Sequence, residues 1–320
     1  MMPMLRADLH VHSCHSRVSG TLSFLGSRDC YSKPADVYRV AKARGMDLVA
    51  FTDHDSIGGA LELLNDRPDL EDVIVAEEVS CRLPDGGLDV HLGVYGMTEA
   101  LHRDVQPLRG NAFDVIACLR EAGVFFSLNH LLHFYRGQIP LDRYLRLLDE
   151  VPALEVRNGA MLAAHNTLLE QIARSGVNHG TRFVAMVAGS DAHTLRRVGT
   201  TWTAAPGATC EEFLGNVAAG RGRVGGVHGS TLQLAGDIYG VVVQYWLSLV
   251  GLQRHEISVP RRLLGGSFSL VTMPGEFVPL IVAARSKQRE AKWVASSSAT
   301  LGLANGALPA AAHVEPEPGL

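Results

Sequence analysis

Cysteine is scarce and unpaired in this chain: Cys14, Cys30, Cys81, Cys118 and Cys210 are odd in number and share no short spacing. That excludes a disulfide framework and a cysteine-built zinc site as organising features. A large excess of either charge is missing too. The formal net charge is −4 over 320 residues, so a broad, sequence-independent nucleic-acid surface is not indicated. The N-terminus lacks the charged start and apolar core of a signal peptide, which gives the expectation of a cytoplasmic protein. A clean apolar run long enough to span a bilayer, about 20 residues, is also lacking. The best candidate, Thr231 to Val250, contains Gln233 and Asp237 and reads instead as a helix packed on the rest of the chain or on a partner subunit. What remains is 47% apolar, a globular composition large enough for one sizeable barrel and an appendage.

What the chain does have is histidine and acid placed just beyond apolar runs. Asp8-Leu9-His10-Val11-His12 and Gly189-Ser190-Asp191-Ala192-His193 each follow a strand-like stretch. Alternate residues of a strand point the same way, so His10 and His12 share a face, as do Asp191 and His193. Two imidazoles on one face make half of a metal site, and an Asp and a His from another strand end complete it. Thr52-Asp53-His54-Asp55 ends the run Asp47 to Phe51, Glu77-Glu78 ends Val73 to Ala76, and Asn129-His130 ends Val124 to Leu128. His91 lies inside Leu88 to Tyr95, and Arg157-Asn158 ends Ala153 to Val156. Polar residues gathered at the ends of successive apolar strands are the layout of a barrel enzyme.

Helical patterns separate these runs at Pro34 to Arg44, Ser56 to Leu64, Asn111 to Glu121, Leu141 to Asp149 and Ala163 to Arg174. Pro34 stands near a helix start and Gly45 just past its end. About seven strand-like runs fall between residues 5 and 190, which predicts an irregular β/α barrel, the third and fourth runs forming a hairpin. Arg17 to Ser32 has no period and is expected to be a long loop over the barrel mouth, able to act as a lid. The predicted division is a barrel over 1–205, a mostly helical extension over 206–303, and a disordered Ala/Pro-rich tail over 304–320. Within the extension, Thr209 to Ala219, Thr231 to Val250 and Phe277 to Ala291 read as helices, and Gly220 to Gly226 as a Gly/Arg-rich turn.

In combination and in this order, the motifs Asp8-x-His10-x-His12, Thr52-Asp53-His54-Asp55, Glu78-Val79-Ser80, His91 before Gly93, Asn129-His130 and Gly189-Ser190-Asp191-Ala192-His193 resemble the PHP (polymerase and histidinol phosphatase) family of metal-dependent phosphoesterases. The resemblance covers about residues 5 to 205. It implies a distorted (β/α)7 barrel, here with a C-terminal helical extension, and two or three divalent metal ions. By resemblance, His10, His12, Glu78 and Asp191 hold the first metal. Glu78 bridges to a second, also held by His91 and His130, and His54 and His193 hold the third. Glu77 is the neighbour that competes with Glu78 for the bridging role. One departure stands at the third site. Where many members place an Asp or His, this chain has Arg17, with His15 two residues earlier as the alternative donor.

The chemistry implied is hydrolysis of a phosphate ester, of a small phosphorylated metabolite or a nucleotide, by a metal-bridged hydroxide. The imidazole-rich donor set suits Zn, Mn or Fe better than Mg or Ca. Asp53, His54 and His193 are the candidates to protonate the leaving group, the two histidines only where they hold no metal. Arg17 is the candidate for the substrate's phosphate, followed by Arg157, Arg196 and Arg197. Asp55 and Asn129 are expected to orient imidazoles. The competing functions are a nuclease acting on nucleic-acid ends, which would need a groove of several Lys/Arg contacts, and a metal-binding regulatory module without turnover. An oligomer formed through 231–250 is a further expectation.

Overall fold

The computed structural model describes residues 2–16, 25–84, 89–131, 141–175, 184–252, 257–272 and 277–300. Seven strands follow the alternation read from the sequence: β1 (Met4–Asp8), β2 (Leu48–Phe51), β3 (Val73–Arg82), β4 (Asp89–Tyr95), β5 (Phe125–Asn129), β6 (Ala153–Asn158) and β7 (Ala185–Gly189). Between them lie α1 (Pro34–Ala43), α2 (Gly58–Asp66), α3 (Glu99–Val105), α4 (Ala112–Glu121), α5 (Leu141–Glu150) and α6 (Ala163–Ser175). Local chemistry fixes several boundaries. Pro34 opens α1, where its missing N–H costs nothing. The Thr98 and Asn111 side chains accept from Leu101 N and Phe113 N at the starts of α3 and α4. The α3 segment was not expected from periodicity, being only two turns long.

The strands lie in the order β7-β6-β5-β4-β3-β2-β1-β8-β9. Most barrel neighbours are parallel, but β4 runs antiparallel to both β3 and β5, so the expected hairpin is present. That reversal matters for the site. It brings His91, near the start of β4, opposite Ser80 of β3 and Asn129 of β5. A residue at the beginning of one strand thereby joins residues at the ends of the others. The sheet closes where Val11 bridges Ala192, beyond the ends of β1 and β7. Asp191 N donates to His10 O at 2.8 Å and His12 N to Ala192 O at 3.1 Å. Gly189 is required there, because a Cβ would collide with the His10 backbone. The fold is a distorted seven-stranded α/β barrel with C-terminal helices.

Two further strands follow the barrel. β8 (Thr201–Pro206) pairs antiparallel with β1, and β9 (Arg223–Gly226) with β8. The Gly/Arg-rich segment is therefore part of the sheet, where the sequence suggested only a turn. Its glycines serve close approach: a Cβ on Gly225 would run into the Trp202 indole. The Thr203 hydroxyl joins β8 to β7 by donating to Ala188 O and accepting from Ala188 N.

Beyond β8 come α7 (Cys210–Asn216), a short π turn (Val217–Arg221), α8 (Thr231–Leu249), α9 (Val259–Thr272) and α10 (Val278–Thr300). The helices read at 231 and 277 are present, whereas α9 carries Gly265 and Gly266 and gave no sequence signal. Helix α10 docks on the barrel through a buried pair. Lys287 Nζ donates to Ala160 O and Glu290 Oε2, and Glu290 Oε1 accepts from Leu162 N. No helix among the described residues is long and apolar enough to cross a membrane. Arg17 and the tail 304–320 lie outside the described residues, as does the 17–24 part of the expected lid.

Candidate metal centre

The strand ends converge on Glu78. β3 alternates, so adjacent acids face opposite ways. Glu77 turns outward to His102 Nδ1 at 2.7 Å and Gln106 Nε2 at 2.9 Å. Glu78 turns into the barrel mouth and is fully buried. Its Oε1 lies 3.2 Å from His10 Nε2, 3.1 Å from His91 Nδ1 and 2.9 Å from His130 Nε2. Its Oε2 lies 3.5 Å from His12 Nε2 and 3.0 Å from His54 Nδ1. Asp191 Oδ1 is 3.3 Å from His12 Nε2 and 3.6 Å from each of His10 Nε2 and His193 Nδ1. Four sets of three donors, each within 4.8 Å, result: His10–His12–Asp191, His10–Glu78–His130, His54–Glu78–His91 and His12–His54–His193. Every metal-ligand candidate from the sequence thus joins one continuous cluster.

The backbone is bent to make this possible. Asp55, His130 and Asp191 have positive φ values of 51°, 24° and 51°, a conformation costly for residues with a Cβ and concentrated at functional sites. Each follows a strand end, where the chain turns sharply while its side chain or its neighbour's stays at the mouth.

The electrostatics describe a site built for cations. Burial alone would raise the Glu78 carboxyl, yet His10, His91, His54 and His130 hold it well below the usual carboxylate range. Asp191, which keeps a small exposure, is likewise held well below that range, chiefly by His10, His12 and His193. Burial resists charge on His54, but Glu78, helped by Asp29 and Asp191, brings it up to about 9. Burial pushes His91 down to about 4. His10 Nε2, His12 Nε2, His54 Nδ1 and Glu78 Oε2 are buried and make no hydrogen bond. Buried polar atoms in that condition are costly. Imidazole lone pairs and carboxylate oxygens facing one another are what a divalent ion satisfies, so the donor set fits divalent metal ions.

A layer of polar contacts fixes the imidazoles. Glu155, inside β6, accepts at Oε1 from His10 Nδ1 at 2.8 Å and at Oε2 from His130 N at 3.0 Å and Asn158 Nδ2 at 2.9 Å. His10 therefore presents Nε2 to the cluster. Asn129 Nδ2 reaches Glu78 Oε1 at 3.2 Å. Ser16 Oγ lies 3.0 Å from His12 Nδ1, accepts from His54 N at 3.1 Å and donates to Asp53 at 3.2 Å. The sequence reading missed Glu155, whose only sign was an acid inside an apolar strand, and Ser16, which had none.

Several sequence candidates sit elsewhere. Asp53 is buried behind the cluster, bound to Ser13 N at 2.5 Å, Ser13 Oγ at 2.7 Å and Ser16 Oγ. It reaches His12 through Ser16. Asp55 holds no imidazole, contrary to expectation. It pairs with Arg109 and accepts from Ser80 N at 2.9 Å. His15 turns to Glu62 at 2.7 Å and takes no part in the third donor set. Arg157 donates to Gly226 O, and Arg197 is buried against Gly159 O and Asp237. Asp8 is a strut: its carboxylate accepts from Ser190 N at 2.8 Å, Gly199 N at 2.7 Å and His10 N at 3.3 Å.

Known proteins can now be set beside this geometry. Residues 181–221, from just before β7 through the π turn, match the family described as PHP-associated. Over that segment the chain is similar to the PHP-associated family. Over 58 residues the chain is 38% identical to an uncharacterized protein of Methanocaldococcus jannaschii; the match covers 18% of the chain and 33% of the relative, so it spans about a third of that relative's length. Among solved structures, PsfC from Pseudomonas syringae is 19% identical with a TM-score of 0.50, over 78% of this chain and all of that one (100%). A lesion-specific endonuclease from Pyrococcus furiosus is 15% identical with a TM-score of 0.45, over 92% of this chain and 90% of that one. A presumed metal-dependent phosphoesterase from Bifidobacterium adolescentis is 15% identical with a TM-score of 0.44, over 65% and 91% of the two chains. These likenesses concern the fold.

Proposed function

We propose that the protein is a metal-dependent phosphoesterase that hydrolyses a small phosphorylated metabolite or nucleotide at the Glu78 cluster. The observation that supports it most is Glu78 itself, one buried carboxylate between His10, His12 and Asp191 on one side and His91 and His130 on the other. Bound divalent ions there supply Lewis acidity toward a phosphoryl oxygen and an activated water. The residues do the rest. Glu78 holds the two donor groups in one rigid array, with Oε1 toward His10, His91 and His130 and Oε2 toward His12 and His54. Glu155 and Ser16 fix the faces that His10 and His12 present, so the array is preorganised. The buried walls exclude bulk water, which strengthens every charge interaction at the mouth. His54 and His193 belong to the metal-holding set in this reading. Arg17, five residues after His12, is the proposed partner of the substrate's phosphate, since guanidinium donors pair with phosphate oxygens.

The test is a reconstitution. The full chain is stripped with a chelator, reloaded separately with Zn2+, Mn2+ or Fe2+, and assayed for phosphate release. Substrates are phosphorylated sugars, nucleotides and short single-stranded oligonucleotides. Metal-dependent turnover of small esters is expected. Turnover of oligonucleotides alone would move the reading to a nuclease. A metal-loaded protein inert toward every phosphoester would overturn it.

A further inference from the structure

The third donor set, His12, His54 and His193, has neither of the partners suggested by the sequence. His15 is spent on Glu62, and the motif position is Arg17. Yet a carboxylate stands at that place. Asp29 Oδ2 lies 3.6 Å from His54 Nε2 and 3.9 Å from His193 Nε2, and Asp29 Oδ1 is buried without a hydrogen-bond partner. Two ligands of one tetrahedral Zn2+ sit about 3.3 Å apart, given metal–ligand distances of 2.0–2.2 Å. The carboxylate therefore stands close to ligand spacing from two imidazoles. Its ion pairs among the described residues are with these two histidines.

Asp29 is held in place from two directions. On the barrel side, Cys14 N donates to Ser32 O at 2.8 Å, Cys30 Sγ to His12 O at 3.4 Å, and Arg28 to Cys14 O. The loop segment is thus strapped to the backbone of His12 and Cys14, beside the imidazoles that Asp29 approaches. On the other side, Leu25 and Tyr31 pack with Tyr245 of α8 and Ile257, which precedes α9, and Tyr245 Oη donates to Leu25 O at 3.1 Å. The C-terminal helices clamp the segment against the barrel mouth.

We infer that Asp29 is, with His54 and His193, the third protein ligand of a third metal ion, and that the C-terminal helices, through Tyr245, hold it in that position. This rests on the metal-centre reading above. It gives the extension a task at the site: an acid contributed by the loop replaces the motif ligand and is kept in register by helices outside the barrel.

The experiment uses the full chain, stripped and reloaded with Zn2+ and in parallel with Mn2+, with bound metal counted by mass spectrometry and stepwise affinities measured by chelator competition. The parent is expected to hold three ions per chain. Asp29→Asn is expected to hold two, with the third weakened at least tenfold and the other two unchanged. Asp29→Glu, which keeps the charge, should restore part of the third affinity. Tyr245→Phe should weaken the third ion several-fold and spare the others. A parent with two ions, or Asp29→Asn retaining three at parental affinity, overturns the ligand assignment while leaving the Glu78 centre standing. A Tyr245→Phe protein with parental third-site affinity overturns the clamp. A parent that binds no metal overturns the function proposed above as well, so the two failures are distinct. Should Asp29→Asn lose its circular-dichroism signature, Asp29→Glu decides alone, and no loss of third-site affinity together with changed occupancy elsewhere would reject the assignment.

Discussion

The barrel mouth and the C-terminal helices are held by opposite means. At the mouth, nearly every buried residue is polar and meets several partners: Glu78 alone is approached by five imidazoles, those of His10, His12, His54, His91 and His130. The helices are largely apolar and half-exposed. Leu232, Val250, Leu263 and Phe277 present much of their side chains to solvent, and α8 and α10 hold to the barrel through a few polar points such as Thr194–Asp237 and Lys287–Ala160, with Trp293 and Val294 packed on the barrel core. The mouth gains its order from dense, mutually dependent charge, and the extension from a small number of anchors. A substitution at the mouth should therefore alter chemistry, and one at an anchor should alter stability.

The largest effect is expected at Glu78. Glu78→Gln removes the anion shared by both donor groups. Loss of an orienting partner alone typically costs ten- to a hundredfold in metal affinity, so loss of this ligand should exceed about a hundredfold. Metal counting and phosphate release both read it. Parental metal content in that variant would separate the bridging role from Glu78.

Next in size comes an anchor. Glu290→Ala strands the Lys287 ammonium in a buried site, and breaking such a pair costs about 3–5 kcal/mol. Thermal unfolding should show a marked fall in Tm, while the metal count of the folded protein stays parental. Glu290→Gln, which keeps an acceptor for Leu162 N and a partner for Lys287, should lose less. A Glu290→Ala chain that melts like the parent would show the anchor to be dispensable.

Glu155 tests the boundary between the two regimes. Glu155→Gln keeps the shape but removes the charge behind His10 Nδ1. A drop of about ten- to a hundredfold in metal affinity is expected, with a smaller change in Tm than at Glu290. Equal affinity would mean that packing alone orients His10.

The smallest effect concerns protons. His54 titrates near 9 in the metal-free protein, raised by Glu78. At pH 7 it carries a proton, which metal uptake must displace, so affinity should rise with pH until about 9. The same raised value has a stability consequence. Its contribution to the metal-free fold is complete below the unfolded value of 6.5 and is lost as pH rises through about 9. Titration of metal into a weakly buffered solution at pH 7 should acidify it. Uptake without proton release would contradict the assignment of His54.

The barrel and its cluster of histidines and acids were legible because two regularities coincide there. Apolar runs of strand length alternate with helical patterns, and polar residues follow the runs at fixed offsets. Glu155 escaped because one acid in Ala153–Asn158 looks like an outward-facing residue, whereas it points inward to His10. Asp29 escaped because its loop has no period and its role depends on contacts with Tyr245, more than two hundred residues on, which no local pattern reports. β9 was hidden by glycines that normally signal turns but here make room for Trp202. The bonds of Asp53 to Ser13 and Ser16 were likewise hidden, because its motif neighbour His54 faces Glu78 and carried the metal signal.

The seam of the barrel has a mechanical consequence. β1 and β7 are joined beyond their ends by a bridge between Val11 and Ala192, and its hydrogen bonds involve His10, His12, Asp191 and Ala192. Three of these residues are also donors of a single set, His10–His12–Asp191. An ion held by that set is a rivet across the place where the cylinder was rolled shut. Without it, the amides of His12 and Asp191 are the natural point for the cylinder to part, and their hydrogen exchange should report occupancy directly, slowing when the rivet is in place.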